Sequence, residues 1–388
     1  MSSADQSQNA NSAPAHPGLG KSALFRPPTL LCLSHLRWGF VYQRPQHLMS
    51  RFAKHFHVLF WEEPLLSQKG ISWLEQRDQS GGVTVLIPHV QPDVEPDQAQ
   101  RRLLDAYLAA HAPTELILWY FTPMSLAFTE HLSASVNIFD CMDELSAFKG
   151  APADLLEKEQ RLMQRADVVF TGGYSLWEAK RAQHPNVHAM PSSVDIEHFG
   201  QARLSLLEPA DQWEIPHPRL GFFGVIDERF DAALISGLAM ANPQWQIVLI
   251  GPVVKIDPSS LPQLPNIHYL GAKHYAQLPY YLAGWDVALM PFALNESTRF
   301  ISPTKTPEYL AGGCPVVSTP IADVVRSYGH TGVVHIARTE DEFAAAVAAA
   351  LAARADSQAL YSQIDAALAG MSWDATWARM KEQIECLR

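Results

Sequence analysis

The chain is short of the features that mark several large protein classes. It holds only four cysteines in 388 residues, Cys32, Cys141, Cys314 and Cys386, with no C-x-x-C pair among them. Each sits in an apolar context, so buried free thiols are expected in place of a disulfide frame or a thiolate metal site. That usage suits a reducing, cytoplasmic setting. No run of about 18 apolar residues occurs, so no transmembrane helix is expected. Basic residues are the minority, 29 against 40 acidic, for a formal net charge of −11. This balance speaks against a nucleic-acid partner and leaves room for a local cationic site. No short-period repeat is present, which disfavours a solenoid. No G-x-G-x-x-G follows a strand, which disfavours an NAD-dependent dehydrogenase. The opening residues lack the apolar stretch of a signal peptide, and their Ser, Asn, Gln, Ala and Pro content predicts disorder over residues 1–26. Within them "GLGKSA" imitates a phosphate loop, but no strand precedes it and Ala15 stands where the first glycine belongs.

What is present is a regular alternation. Hydrophobic residues make up 47% and charged residues 18% of the chain, ordinary values for a globular protein with ample core for two domains. Short apolar runs at 29–34, 57–64, 83–88, 115–121, 135–141 and 166–173 read as buried strands, with amphipathic helices at 44–56 and 155–166 between them. After the Pro-rich "EPADQWEIPHPR" a second series begins, with strands at 220–226, 245–252, 266–271, 285–292, 315–320 and 332–337. Helical stretches at 228–240, 275–283, 305–313 and 340–370 separate them. Continuous apolar strands alternating with helices predict parallel sheets covered on both faces. The fold class is therefore α/β, as two consecutive Rossmann-like domains. The expected boundaries are 1–26 for the tail, 27–200 for the first domain, 201–370 for the second and 371–388 for a final amphipathic helix. Trp373 and Trp377 of that helix need a groove, on the first domain or on their own.

Open parallel sheets bind ligands at the carboxyl ends of their strands. The strand at 285–292 runs into a polar loop with Arg299, then "SPTKTPEYLAGG" starts a helix with Pro307 in its first turn. A helix N-terminus beside Lys305 suits an anion, and Glu308 one turn on suits a ribose diol. Taken alone, the two residues read equally as a surface ion pair contributing under about 1 kcal/mol. In "LGFFGVIDERFD" the strand ends at Gly224, which permits close backbone approach. Asp227 is a candidate cap for a helix beginning near Glu228, leaving Arg229 for phosphates. In the first domain Arg37, Gln43, Arg44 and His47 follow the first strand and are placed to line a cleft, with His47 equally readable as a packing histidine. Asp140 and Asp143 lie at another strand end; Asp143 is the candidate general base, or else, like Ser146, a helix cap. Glu62 and Glu63 hold similar positions. Trp38, Tyr42, Trp61, Trp119, Tyr120 and Phe121 offer stacking surfaces for a sugar, although most such rings belong to cores.

The ordered set "GFFGVIDERFD", "WQIVLIGP", "LPNIHYLGAKHYAQLPYYLAGWDVALMPF" and "SPTKTPEYLAGGCPVVSTP" resembles the donor domain of GT-B glycosyltransferases. The likeness is to the bacterial family-1/family-4-like branch that builds exopolysaccharide and teichuronic-acid-type polymers. "RWGFVYQRPQHLMSRFA", "IFDCMDELSAF", "ADVVFTGGYSLWEAK" and "MPSSVDIEHF" extend it through the first half, so that it covers roughly residues 29–388. The resemblance implies a nucleotide-diphosphate sugar, a UDP-sugar foremost, bound between two domains with no further cofactor and no metal. It implies transfer to a saccharide or lipid-linked acceptor, with local peripheral contact at the inner membrane face. Lys305, with Thr304 before it, would neutralise the diphosphate, Glu308 would hold the ribose, and Gly224 would admit the phosphates. Gly251, Gly271 and His274 would lie near the base. The chain departs from the pattern twice. Phe300 stands where many relatives keep a second glutamate, and "DERFD" replaces the usual Arg and Lys after the glycine turn, leaving Arg229 or Arg299 to compensate. A retaining mechanism is therefore not implied. A nucleotide-sugar 2-epimerase on the same scaffold and a non-catalytic nucleotide-sugar binder are the alternatives.

Overall fold

A computed structural model describes residues 27–204 and 206–388; the segment 1–26, for which disorder is expected, lies outside the described residues. The first domain is built on nine strands: β1 (Thr29–Leu33), β2 (His57–Trp61), β3 (Leu65–Leu66), β4 (Trp73–Asp78), β5 (Val83–Val90), β6 (Leu116–Tyr120), β7 (Val136–Cys141), β8 (Val168–Thr171) and β9 (Val187–Ala189). They run in the order β3-β5-β2-β1-β6-β7-β8-β9, with β4 antiparallel on β5 and the other pairings parallel. Successive residues of one strand serve opposite faces of the sheet. Leu30 and Cys32 of β1 with Ile117 and Trp119 of β6 enter one core. Leu31 and Leu33 with Leu118 and Tyr120 enter the other. This two-sided demand is why these strands read as unbroken apolar runs.

The second domain carries β10 (Arg219–Phe223), β11 (Gln246–Ile250), β12 (Ile267–Gly271), β13 (Val287–Met290), β14 (Val316–Ser318) and β15 (Val334–Ile336), all parallel, in the order β12-β11-β10-β13-β14-β15. In both sheets the chain goes one way from the first strand and then crosses to its other side. The switch falls between β1 and β6, and between β10 and β13. Crevices open at such points, outside the carboxyl ends of the strands.

The helix Trp373–Glu385 belongs to the first domain by packing. Its Trp373, Met380 and Ile384, all fully buried, join Leu48, Met49 and Phe52 of the helix Arg44–Phe52 in one core. Trp377 stacks on His55 at 5.3 Å between ring centroids. Arg51 adds a two-bond pair with Asp374 at 2.9 and 3.0 Å.

Several expectations are corrected. The Ala-rich stretch is two helices, Glu340–Ala353 and Ser357–Ala367, the second capped by Asp356. The helix after β10 starts at Ala232, capped by Asp231, four residues beyond the expected start. Residues 225–230 instead run as a loop pinned by single bridges, Ile226 to Val253 and Phe230 to Phe292. Cys386 is exposed while the other three thiols are buried. Among the described residues no helix is long and apolar enough to cross a membrane.

Candidate active site

At the carboxyl end of β10 the backbone turns at Gly224, φ +146°. A Cβ there would fall on Lys305 Cε and within 2.8 Å of its Nζ, so the missing side chain is the room Lys305 occupies. Gly251, just past β11, has the same φ, and a Cβ on it would strike the Gly224 carbonyl oxygen. The two glycines let adjacent strand ends close up and leave backbone open to a ligand. Lys305 begins the helix Lys305–Ala311, which Tyr309 ties to β10: its hydroxyl accepts from Phe223 N at 2.9 Å and donates to Phe223 O at 3.2 Å. Among the described residues Lys305 Nζ joins no ion pair within 4.0 Å, an uncommitted cation facing the cleft. Glu308 is buried one turn on, and burial pushes its carboxyl up to about 7 against the pull of Lys305 and Thr304. The same burial lowers Lys305, countered by Glu308.

These groups form one wall of a cleft of about 410 Å³. Gly251, His274 and Tyr275 continue that wall, while Trp38, Tyr42 and Gln43 face it from the first domain. Tyr42 stacks on Tyr275 at 4.6 Å, so the cleft floor is an aromatic pair shared by both domains. The cleft runs on through a narrow neck of about 80 Å³ between Lys305, Thr304, Gln43 and Asp143. Beyond the neck a second chamber of about 370 Å³ opens, lined by Asp143, Arg229, His35 and Phe148 among others. Asp143 and Gln43 thus stand where the two chambers meet. Burial raises the Asp143 carboxyl to about 6, although Arg229, Arg44 and Lys305 oppose the rise. A carboxyl in that range is suited to taking a proton near neutrality.

The loop bearing Asp143 is held from behind. Lys180 Nζ lies 2.7 Å from Glu144 and 2.5 Å from Glu159, and Ser146 donates to Glu144 at 2.8 Å. Asp143 and Ser146 cap no helix here; Glu144 occupies the cap position of the short turn Leu145–Ala147.

Other candidates are placed elsewhere or otherwise engaged. His47 is buried: Trp373 stacks on it at 4.8 Å, and Tyr275 Oη sits 3.4 Å from its Nε2. Burial, with Arg51 and His198 nearby, lowers its pKa, and the ring packs at the junction of the domains without lining the cleft. Arg44 touches the neck, but its guanidinium clasps buried Asp140 at 2.8–3.1 Å and donates to Met190 O at 2.7 Å. Arg37 is drawn aside by Glu62 at 3.0 Å, which also takes Trp38 N. Asp227 is not a helix cap; it accepts Arg229 N at 3.0 Å and grips the guanidinium at 2.7–3.2 Å. Arg299 is exposed, 3.9 Å from Glu296, outside the cleft linings. Gly271 ends β12 without lining the cleft itself. Trp61, Trp119, Tyr120 and Phe121 are core. His35 and Lys255, not among the expected site residues, also line the second chamber; each follows a strand end, the one signal in the sequence that points to them.

Two parallel α/β domains facing across such a cleft define the GT-B architecture. Residues 218–353, which include Gly224, Gly251, Lys305 and Glu308, match the family described as Glycosyl transferases group 1. The fold is thus GT-B, and the match to that family is confined to the second domain. It is 29% identical over 238 residues to a Bacillus subtilis (strain 168) protein named for teichuronic acid biosynthesis glycosyltransferase, TuaH. That match spans 56% of this chain and 59% of the relative's length. Among solved structures, sucrose-phosphate synthase from Thermosynechococcus elongatus superposes with a TM-score of 0.67 at 15% identity, covering 93% of this chain and 99% of the other. Anabaena Alr3699/HepE, in complex with UDP and glucose, gives 0.65 at 14% identity, covering 92% and 99%.

Proposed function

We propose that the chain is a glycosyltransferase moving a sugar from a nucleotide-diphosphate sugar to an acceptor hydroxyl in polysaccharide or glycoconjugate synthesis. The observation that carries this is the uncommitted Lys305 against Gly224, with Glu308 one turn on, inside the segment that matches a glycosyl transferase family. In this reading the diphosphate lies over the glycine-ended strands, Lys305 offsets its charge, and the Glu308 carboxylate accepts the ribose hydroxyls. The acceptor oxygen bonds to the anomeric carbon as the bond to the diphosphate oxygen breaks. Asp143 takes the acceptor proton, and the nucleotide diphosphate leaves with the bonding electrons. Stabilising that developing charge with preorganised cations and N–H groups is the largest contribution the protein makes. UDP is the favoured nucleotide, since a neighbour of the same fold was solved with UDP and glucose. The acceptor is a saccharide, free or lipid-linked.

The test is a thermal-shift and hydrolysis screen over UDP-, GDP-, dTDP- and ADP-sugars. A rise in Tm with one nucleotide class, lost in Lys305→Ala without unfolding, is the expected result. No shift with any nucleotide refutes the proposal at its first step.

A further inference from the structure

The chamber beyond the neck holds charge that the donor does not use. Lys255 and Lys149 both line it, and among the described residues neither enters an ion pair within 4.0 Å. Lys255 has φ +62°, a left-handed backbone uncommon for a residue with a side chain. Strain of this kind is retained where a position is otherwise over-determined, often at a site. The side chain is turned to the Phe148 ring, with Nζ 5.5 Å from its centroid and Arg229 Cζ at the same distance. His35 completes the chamber floor. Its Nδ1 is buried without a partner, and burial, opposed by the Phe121 backbone and aided by Lys255, holds the ring pKa down to about 4, so it stays neutral. An unpartnered neutral imidazole nitrogen can accept a hydroxyl proton in hydrogen bonding.

Three carboxyl groups also face the chamber and must be set against these cations. Asp227 is consumed by Arg229. Asp143 sits at the neck, raised by burial. Glu63 is likewise raised by burial, with Arg37 and Lys255 opposing. None of the three makes an ion pair with Lys149 or Lys255 within 4.0 Å.

We infer that the acceptor is an anionic saccharide, its carboxylate or phosphate seated between Lys255 and Lys149 against Phe148 and its hydroxyls turned to His35 and Asp143. This rests on the glycosyltransferase reading for the word acceptor, but the binding itself can be measured without turnover. Titration calorimetry with UDP present would compare methyl glucuronide, glucose 6-phosphate and methyl glucoside on the full chain and on Lys149→Gln/Lys255→Gln. Charge-assisted contacts predict that at least one anionic sugar binds about tenfold or more tighter than methyl glucoside. The variant, checked for folding by its ligand-free Tm, should lose that preference. The glucuronide and phosphate arms separate a uronate acceptor from a phosphorylated one. Equal binding of all three sugars, or a preference that survives in the variant, overturns the inference. Failure of UDP itself to bind instead refutes the parent reading, and anionic sugars binding without UDP would leave the chamber a site in its own right.

Discussion

Replacing Gly224 with alanine tests the construction of the donor wall most directly. The new Cβ meets the far end of Lys305, not backbone, so the lysine can swing away while the strand stays in place. The left-handed φ of +146° adds conformational strain of about 1–3 kcal/mol. At about 2–4 °C per kcal/mol for a domain of this size, Tm should fall by roughly 2–12 °C. The larger effect falls on the ligand. Displacing an ammonium from a diphosphate removes charge-assisted contacts of about 1.5–3 kcal/mol, a loss of roughly 10- to 150-fold in UDP affinity. Because the loss runs through Lys305, it should vanish in a Lys305→Ala background, where Gly224→Ala should cost little further affinity. Gly251→Ala provides the contrast: its Cβ meets the Gly224 carbonyl oxygen, which has no free end to move, so its stability loss should exceed that of Gly224→Ala. Isothermal titration with UDP and thermal unfolding of the four variants make the measurement. If Gly224→Ala weakens UDP by the same factor with and without Lys305, the lysine does not carry the effect and Gly224 is not the room it occupies.

Two other perturbations follow from buried charge. Glu308 is raised from its ordinary 4.5 to about 7, so the folded chain holds a proton that the unfolded chain releases earlier. Ligand-free stability should therefore fall as pH rises across that window, whereas UDP affinity should rise toward its upper end as the carboxylate forms; Glu308→Gln should flatten both profiles, and an unchanged slope in denaturant unfolding would remove Glu308 as the cause. Lys180→Met leaves buried Glu159 and partly buried Glu144 without their cation, a loss of about 3–5 kcal/mol. Adding Glu144→Gln and Glu159→Gln should restore most of it, and a single variant as stable as the parent chain would dismiss the cluster as a support for Asp143.

The two sheets were legible because their strands are buried on both faces, which leaves apolar runs that no surface element imitates. β3, β4 and β9 escaped for the opposite reason: Leu65–Leu66 and Trp73–Asp78 are largely exposed edge segments, and Val187–Ala189 is short and half-buried. The helix Pro96–His111 carried a readable start, Glu95 accepting from Asp97 N and Gln98 N with proline in the first turn, within a weakly apolar stretch. At the site, Gly224, Lys305 and Glu308 could be found because strand end, glycine and helix start are local signals. Engagement is not local. Nothing near Arg44 in sequence announces Asp140, 96 residues on, and nothing near His47 announces Trp373. Arginines that looked available in the sequence were therefore already spoken for in the fold.

The position of Trp373 has a consequence for how the molecule is made. The first domain's sheet ends with β9 at Ala189, yet its core closes only when Trp373, Met380 and Ile384 arrive after the whole second domain. During synthesis, domains generally fold as they emerge, the N-terminal one first. Here the first domain must wait with Leu48, Met49 and Phe52 uncovered, so order of folding and order of translation are uncoupled. An isolated 27–200 fragment would keep that groove open, and a chimera that exchanges one domain would have to carry the returning helix with its host core, not with its neighbours in sequence.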